Sequence, residues 1–105
     1  MIGIDVVSVE RIDLTNTRFI EMVLTDEERQ EFSLYSTDSR KKEYIAGRFA
    51  AKEAIFKASQ DRDYLKYTIL HEPSGRPYVK DHPEISVSIS HDGGIAAAII
   101  QIQAK

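Results

Sequence analysis

A chain of 105 residues with 42% hydrophobic and 30% charged content reads as one domain, residues 1–105, with a modest core. Its formal net charge of −3 argues against a general nucleic-acid binder, although a local basic patch for an acidic partner stays open. It has no cysteine, no apolar run long enough to cross a membrane and no basic-then-apolar leader, so disulfides and thiolate metal sites are excluded and a cytoplasmic protein is expected.

In chain order, residues 1–7 form an apolar, β-branched run that predicts a strand. Asp5 stands inside it. A carboxylate there is costly unless it is paired or holds a metal; otherwise it sits at the strand end and caps the next turn. Gly3 marks a bulge or a close approach. Residues 8–12 predict a turn or short helix, with Ser8 as its cap. Phe19, Met22 and Val23 have i, i+3, i+4 spacing and predict a helix over residues 16–24. Thr25-Asp26-Glu27-Glu28 has the capping-box pattern and opens a helix reaching about residue 35. Arg11 and Arg18 are either solvated singly or together form a docking patch for carboxylates or phosphates.

After a polar connection, residues 41–59 predict a long central helix rich in Ala, Lys, Glu and Arg. Ile45, Phe49 and Phe56 fall in one stripe, and Ala46, Ala50, Ala54 and Ala58 in a second arc, so the helix should be largely buried. Glu53 lies at the edge of the stripe with Lys57 one turn on. The pair is either an ordinary surface i,i+4 contact or a carboxylate that needs a partner such as a metal ion. Lys52 falls near the aliphatic stripe and would snorkel.

Residues 60–63 form a loop, 67–71 a strand, and Pro73-Ser74-Gly75-Arg76-Pro77 a turn into a short strand at Tyr78 and Val79. Ile85, Val87 and Ile89 alternate with Ser86, Ser88 and Ser90, which predicts a half-buried strand. Residues 91–94 supply a hairpin turn, and residues 95–102 return as a central strand. The expected fold is α+β, helices packed on an antiparallel sheet.

Several blocks, in order and spacing, resemble holo-acyl-carrier-protein synthase, the short bacterial class of 4′-phosphopantetheinyl transferases. They are Gly3-Ile4-Asp5-Val6-Val7, Glu10-Arg11-Ile12, Arg18-Phe19, Leu24-Thr25, Ala46-Gly47-Arg48-Phe49-Ala50-Ala51-Lys52-Glu53-Ala54, Lys57-Ala58, Gly75-Arg76-Pro77-Tyr78 and Val87-Ser88-Ile89-Ser90-His91. The resemblance covers nearly the whole chain. It implies transfer of the phosphopantetheine arm of coenzyme A to a serine of apo-acyl carrier protein, with release of adenosine 3′,5′-bisphosphate. It further implies that Asp5 and Glu53 bind Mg²⁺ against the pyrophosphate, with Glu53 the candidate base, directly or through a water. Mg²⁺ prefers hard oxygen ligands and takes one or two carboxylates together with phosphates, which suits that pair.

By the same resemblance Lys57 reaches a phosphate, and Gly75, Arg76, Pro77, Ser90 and His91 surround the nucleotide. Arg48 binds a phosphate or forms a structural ion pair. Arg11 and Arg18 match the positions that dock the acidic carrier protein, and a homotrimer with active sites at subunit interfaces is implied. The chain departs from the family at Ser59-Gln60-Asp61-Arg62-Asp63, where a glycine-rich turn is usual, and at Asp92, where a threonine is usual. The competing readings are an inactive module that only binds carrier proteins, a Mg²⁺-dependent phosphohydrolase acting on coenzyme A, and a structural domain without a site.

Overall fold

A computed structural model describes residues 1–104. Five strands and three helices follow one another as β1 (Ile2–Ser8), α1 (Thr17–Val23), α2 (Asp26–Phe32), α3 (Asp38–Ser59), β2 (Ile69–His71), β3 (Pro77–Val79), β4 (Ile85–Asp92) and β5 (Ile95–Ile102). Short 3-10 turns at Val9–Arg11 and Tyr64–Lys66 fill two of the connections. The strands make an antiparallel sheet in the order β1-β5-β4 and a separate antiparallel hairpin, β2-β3. This is the expected α+β arrangement, with β5 central.

The helix starts are fixed by side-chain caps. Asn16 accepts from the Phe19 amide and Thr37 from the Arg40 amide, at 3.1 and 3.2 Å. Thr25 and Glu28 form the predicted capping box. Ser8 occupies its cap position without a side-chain bond. The second helix ends at Phe32, short of residue 35, because the Ser33 hydroxyl turns back to the Gln30 carbonyl at 2.7 Å. At the far end of α3, Gln60 takes a left-handed conformation with φ 67° and donates its amide to Phe56. Polar side chains hold the turn that follows. The Asp61 amide donates to Ser59 and the Asp63 amide to Asp61, while Asp61 also accepts from Lys66 and Tyr67.

The inner face of the sheet packs on α3, the longest element. Its alanines Ala46, Ala50 and Ala54 are fully buried, with Ile45 and Ile55, whereas Phe49 and Phe56 are only half-buried. The arc of small residues, not the aromatic stripe, is therefore the core face. Small side chains let the backbones approach. A Cβ on Gly3 would lie 1.9 Å from the Ala54 carbonyl oxygen, and one on Gly47 would lie 3.1 Å from the Ile89 side chain. Glycine at these two points brings β1 and β4 down onto the helix.

Lys52 does not snorkel. Its side chain is fully buried with that of Glu28, at 2.5 Å, and its ammonium also donates to the Val23 carbonyl. Glu28 Oε1 also accepts the Thr25 amide, and Oε2 the Ile69 amide. One carboxylate thus joins α2, α3 and β2. Burial lowers the Lys52 pKa, and the Glu28 charge opposes that shift.

The outer face of the sheet is different. Ile2, Ile4 and Val6 of β1 and Ile95 and Ile99 of β5 lie there, 45% to 67% exposed, beside Ser86, Ser88 and Ser90 of β4. Among the described residues no helix is long and apolar enough to cross a membrane.

Candidate active site

The family-matched residues fall into two separate groups on opposite sides of α3. The first gathers where β1 crosses the helix. Lys57 donates to the Ile4 carbonyl at 3.0 Å and to Asp5 Oδ1 at 3.1 Å. Its partner is therefore Asp5 and not Glu53, one turn away. Glu53 instead accepts the Tyr64 hydroxyl on Oε1, with Arg62 3.8 Å away. Burial and the Glu53 carboxylate push Tyr64 up to about 12, so its hydroxyl stays protonated and donating. Asp5 and Glu53 keep side chains 18% and 19% exposed, and neither Asp5 Oδ2 nor Glu53 Oε2 is bonded among the described residues. Two half-buried carboxylates, each with one oxygen held and one available, suit a hard divalent cation whose remaining ligands come from phosphate and water. Among the described residues no cluster of three metal-ligating side chains exists, so these two carboxylates could form only part of such a shell.

Next to this group lies a groove of about 200 Å³ lined by Val7, Arg11, Ile12, Asp13, Asn16, Phe19 and Phe49. Phe49 meets Phe19 and Tyr64 edge to face, with centroids 5.2 and 6.0 Å apart, which ties the groove to the Glu53 side of the helix. Arg11 stands at its rim, and Arg18 is exposed on α1.

The second group surrounds a cleft of about 370 Å³ lined by Tyr35, Arg40, Glu43, Tyr44, Arg48, His71, Gly75, Pro77, Ile89 and His91. His91 Nε2 donates to the Glu43 carbonyl at 3.0 Å, which fixes the ring against α3. Arg48 is 2% exposed and woven into the fold. Its Nε donates to the Ile69 carbonyl at 3.1 Å, its Nη2 to Glu31 at 3.0 Å, and its guanidinium lies 4.1 Å from the Tyr44 ring centre. The structural ion pair is thus realised, while Nη1 makes no bond among the described residues and Arg48 still lines the cleft. Gly75 and Pro77 line this cleft; Arg76 is exposed and lines a neighbouring hollow. Ser90 lies on the opposite face of β4 from His91, because alternate residues of a strand point to opposite faces.

Arg40, Glu43 and His71 enter the cleft without having been singled out in the sequence. For Arg40 a signal existed: Arg40, Tyr44 and Arg48 are spaced i, i+4, i+8 and share one face. The helix begins at Asp38 and not at residue 41, so Arg40 belongs to it.

The two groups do not meet within one chain. Arg48 and Glu53 are about 140° apart around the axis of α3. Asp5 and His91 stand on the two edge strands, which run roughly 10 Å apart on either side of β5, and they are two residues out of register. Asp5, Glu53 and Lys57 do not line the cleft.

Residues 1–101 match the family model of the 4′-phosphopantetheinyl transferase superfamily. The chain belongs to this superfamily. Within it, the chain is 42% identical to the holo-[acyl-carrier-protein] synthase of Listeria welshimeri, over 97% of this chain and 96% of that one. It is 34% identical to the enzyme of the same name from Acholeplasma laidlawii, over 99% and 96%. The fold agrees. The Bacillus anthracis holo-(acyl-carrier-protein) synthase in complex with CoA (3′,5′-ADP) superposes with a TM-score of 0.86 at 32% identity, over 99% of this chain and 96% of that one. The Helicobacter pylori synthase in complex with coenzyme A gives 0.80 at 31% identity, over 98% and 100%. The fold is that of the phosphopantetheinyl transferases, and the chain is an enzyme of the holo-acyl-carrier-protein synthase kind.

Proposed function

We propose that the chain transfers the 4′-phosphopantetheine group of coenzyme A to a serine of an apo-acyl carrier protein, using Mg²⁺ and releasing adenosine 3′,5′-bisphosphate. The observation that carries this reading is the Asp5, Glu53 and Lys57 group, with its two available carboxylate oxygens, in a chain of this family. Asp5 and Glu53 would hold the cation, which when bound neutralises pyrophosphate charge and polarises the phosphorus under attack. Lys57 presents a point charge to the same phosphates. The carrier serine oxygen bonds to the pantetheine-side phosphorus, the bridging P–O bond to the nucleotide breaks, and the serine proton passes toward Glu53 through a water, because one Glu53 oxygen is held by Tyr64 and the other would face the cation. The groove beside Phe49 would admit the serine, with Arg11 and Arg18 facing the acidic carrier.

The nucleotide would occupy the cleft of Arg40, Arg48, Gly75, Pro77 and His91, whose cations suit its phosphates. Because this cleft and the carboxylate group lie on opposite sides of α3, we read each site as built from two chains of a homotrimer. The exposed isoleucines and valine of the sheet face support that reading, since contiguous apolar surface of this kind marks an interface. In that assembly Ser90, on the same outer face, comes to the subunit boundary. The reading carries with it a cytoplasmic place in fatty acid synthesis.

Intact-mass spectrometry of an apo-acyl carrier protein incubated with the chain, coenzyme A and Mg²⁺ tests the proposal. A gain of one phosphopantetheine, lost without metal and with Glu53→Ala or Asp5→Ala, is the expected result. Coenzyme A bound but never transferred would overturn it in favour of a carrier-binding module. Coenzyme A cleaved with no mass gain would point to a hydrolase. Sedimentation of the same sample should give three chains per particle.

A further inference from the structure

His71 lies in β2 with its side chain 30% exposed at the cleft wall. One carboxylate from α2 holds both its backbone and its ring. Glu31 Oε2 accepts the His71 amide at 3.1 Å, and Glu31 Oε1 is 3.2 Å from Nδ1. Glu31 is itself fixed, since the Tyr44 hydroxyl and Arg48 Nη2 donate to the same Oε1 at 2.9 and 3.0 Å. The ring is therefore aimed, and Nε2 makes no bond among the described residues.

Nδ1 has two neighbours with opposite demands. Glu31 calls for a proton on Nδ1, whereas Arg48 Nη2, 3.3 Å away, calls for a bare nitrogen. Burial, Arg48 and His91 hold His71 below the usual histidine range, against the pull of Glu31. Across the cleft on α3 stand Arg40 and Glu43, which pair with each other at 3.8 Å. The ring is therefore uncharged at neutral pH in the ligand-free chain. A phosphate at Nε2 reverses this balance, because an adjacent dianion favours the doubly protonated ring. That ring donates to Glu31 and to the phosphate together.

We propose that His71, aimed by Glu31, contacts a phosphate of the bound nucleotide and takes up a proton as that phosphate arrives. This rests on reading the cleft as the nucleotide side of the transferase site. Nucleotide binding then tightens as pH falls, through a residue on β2 that is separate from the carboxylate group around Asp5.

Isothermal titration of the full chain, in its own assembly, with adenosine 3′,5′-bisphosphate at pH 7.5 tests this. Repeating it in buffers of different ionisation enthalpy gives the protons exchanged per nucleotide. The phosphate's own second pKa is near 6, so its proton exchange is nearly the same for each variant and cancels in the comparison. Wild type should take up roughly half a proton more than His71→Gln, and the variant should bind about tenfold more weakly. Glu31→Gln, with its melting temperature checked, should lower the uptake as well. Equal uptake in wild type and His71→Gln, whatever the affinities, would overturn the role of His71 and leave the cleft reading standing. No binding of the bisphosphate by wild type would overturn the cleft reading and the proposal together.

Discussion

Lys52 and Glu53 are adjacent in α3, yet they belong to two carboxylate–ammonium sets of opposite character. Lys52 and Glu28 are sealed: both side chains are fully buried, and their bonds run to the Val23 carbonyl and the Thr25 and Ile69 amides. Asp5, Glu53 and Lys57 are open, with one oxygen of each carboxylate left available at a partly exposed surface. Charge in a protein is costly to bury and useful only where something else can reach it. The first set ties three elements together, and the second keeps its free oxygens within reach of a ligand.

Substitution should separate the two sets. Removing the ammonium of the sealed pair, Lys52→Met, strands the Glu28 carboxylate in the core. It should cost about 3–5 kcal/mol of stability by chemical denaturation. In the open set, Glu53→Gln or Asp5→Asn should lower the transfer rate roughly 10²–10³-fold, because each weakens electrostatic stabilisation of the reacting phosphates. Their melting curves should move little, since the ionic partners of Asp5 and Glu53, Lys57 and Arg62, are themselves half-exposed. If Glu53→Gln unfolds the chain while Lys52→Met merely slows transfer, the distinction is wrong. Gly3→Ala probes the contact that brings the open set together. Its methyl group has no room against Ala54, so stability should fall by about 1–3 kcal/mol, with activity falling alongside it.

The smallest effect lies in the loop after α3. Hydrogen bonds from Lys66, Asp63 and Tyr67 hold the Asp61 carboxyl down at about 2, below its usual 3.8. A depressed carboxylate stabilises the fold above its unfolded pKa, and that contribution is lost as pH falls from about 4 toward 2. Asp61→Asn should remove this part of the acid dependence, seen as a flatter melting temperature below pH 4, and leave neutral-pH activity unchanged.

Much of the fold could be read from local pattern. The alternation of Ile85, Val87 and Ile89 with serines gave β4 its two faces, and Thr25 with Glu28 marked the start of α2. What escaped the sequence depends on long-range contact. The capping box accounts for Glu28 locally, yet the same oxygen meets Lys52, 24 residues away. The aromatic stripe on α3 outweighs the alanines in hydrophobicity, but small residues win the core because backbone approach decides packing there. Asp5, Glu53 and Lys57 were legible as a candidate group through the family motif. The separation of that group from the cleft was not, since spacing along α3 says nothing about which strand edge each side faces. His71 also needed the structure, because its neighbours Glu31 and Arg48 come from two other elements.

The joint between Gly3 and Ala54 has a mechanical consequence. The strand and the helix touch there main chain to main chain, with no layer of side chains between them. Asp5 lies two residues beyond this joint, and Glu53 immediately precedes Ala54. Each carboxylate therefore hangs on a short arm from one fixed hinge pin. Rotamer changes in the surrounding core have little leverage over the backbone span between them, so a cation seated there would meet two carboxylates that adjust to it by their own side-chain torsions alone.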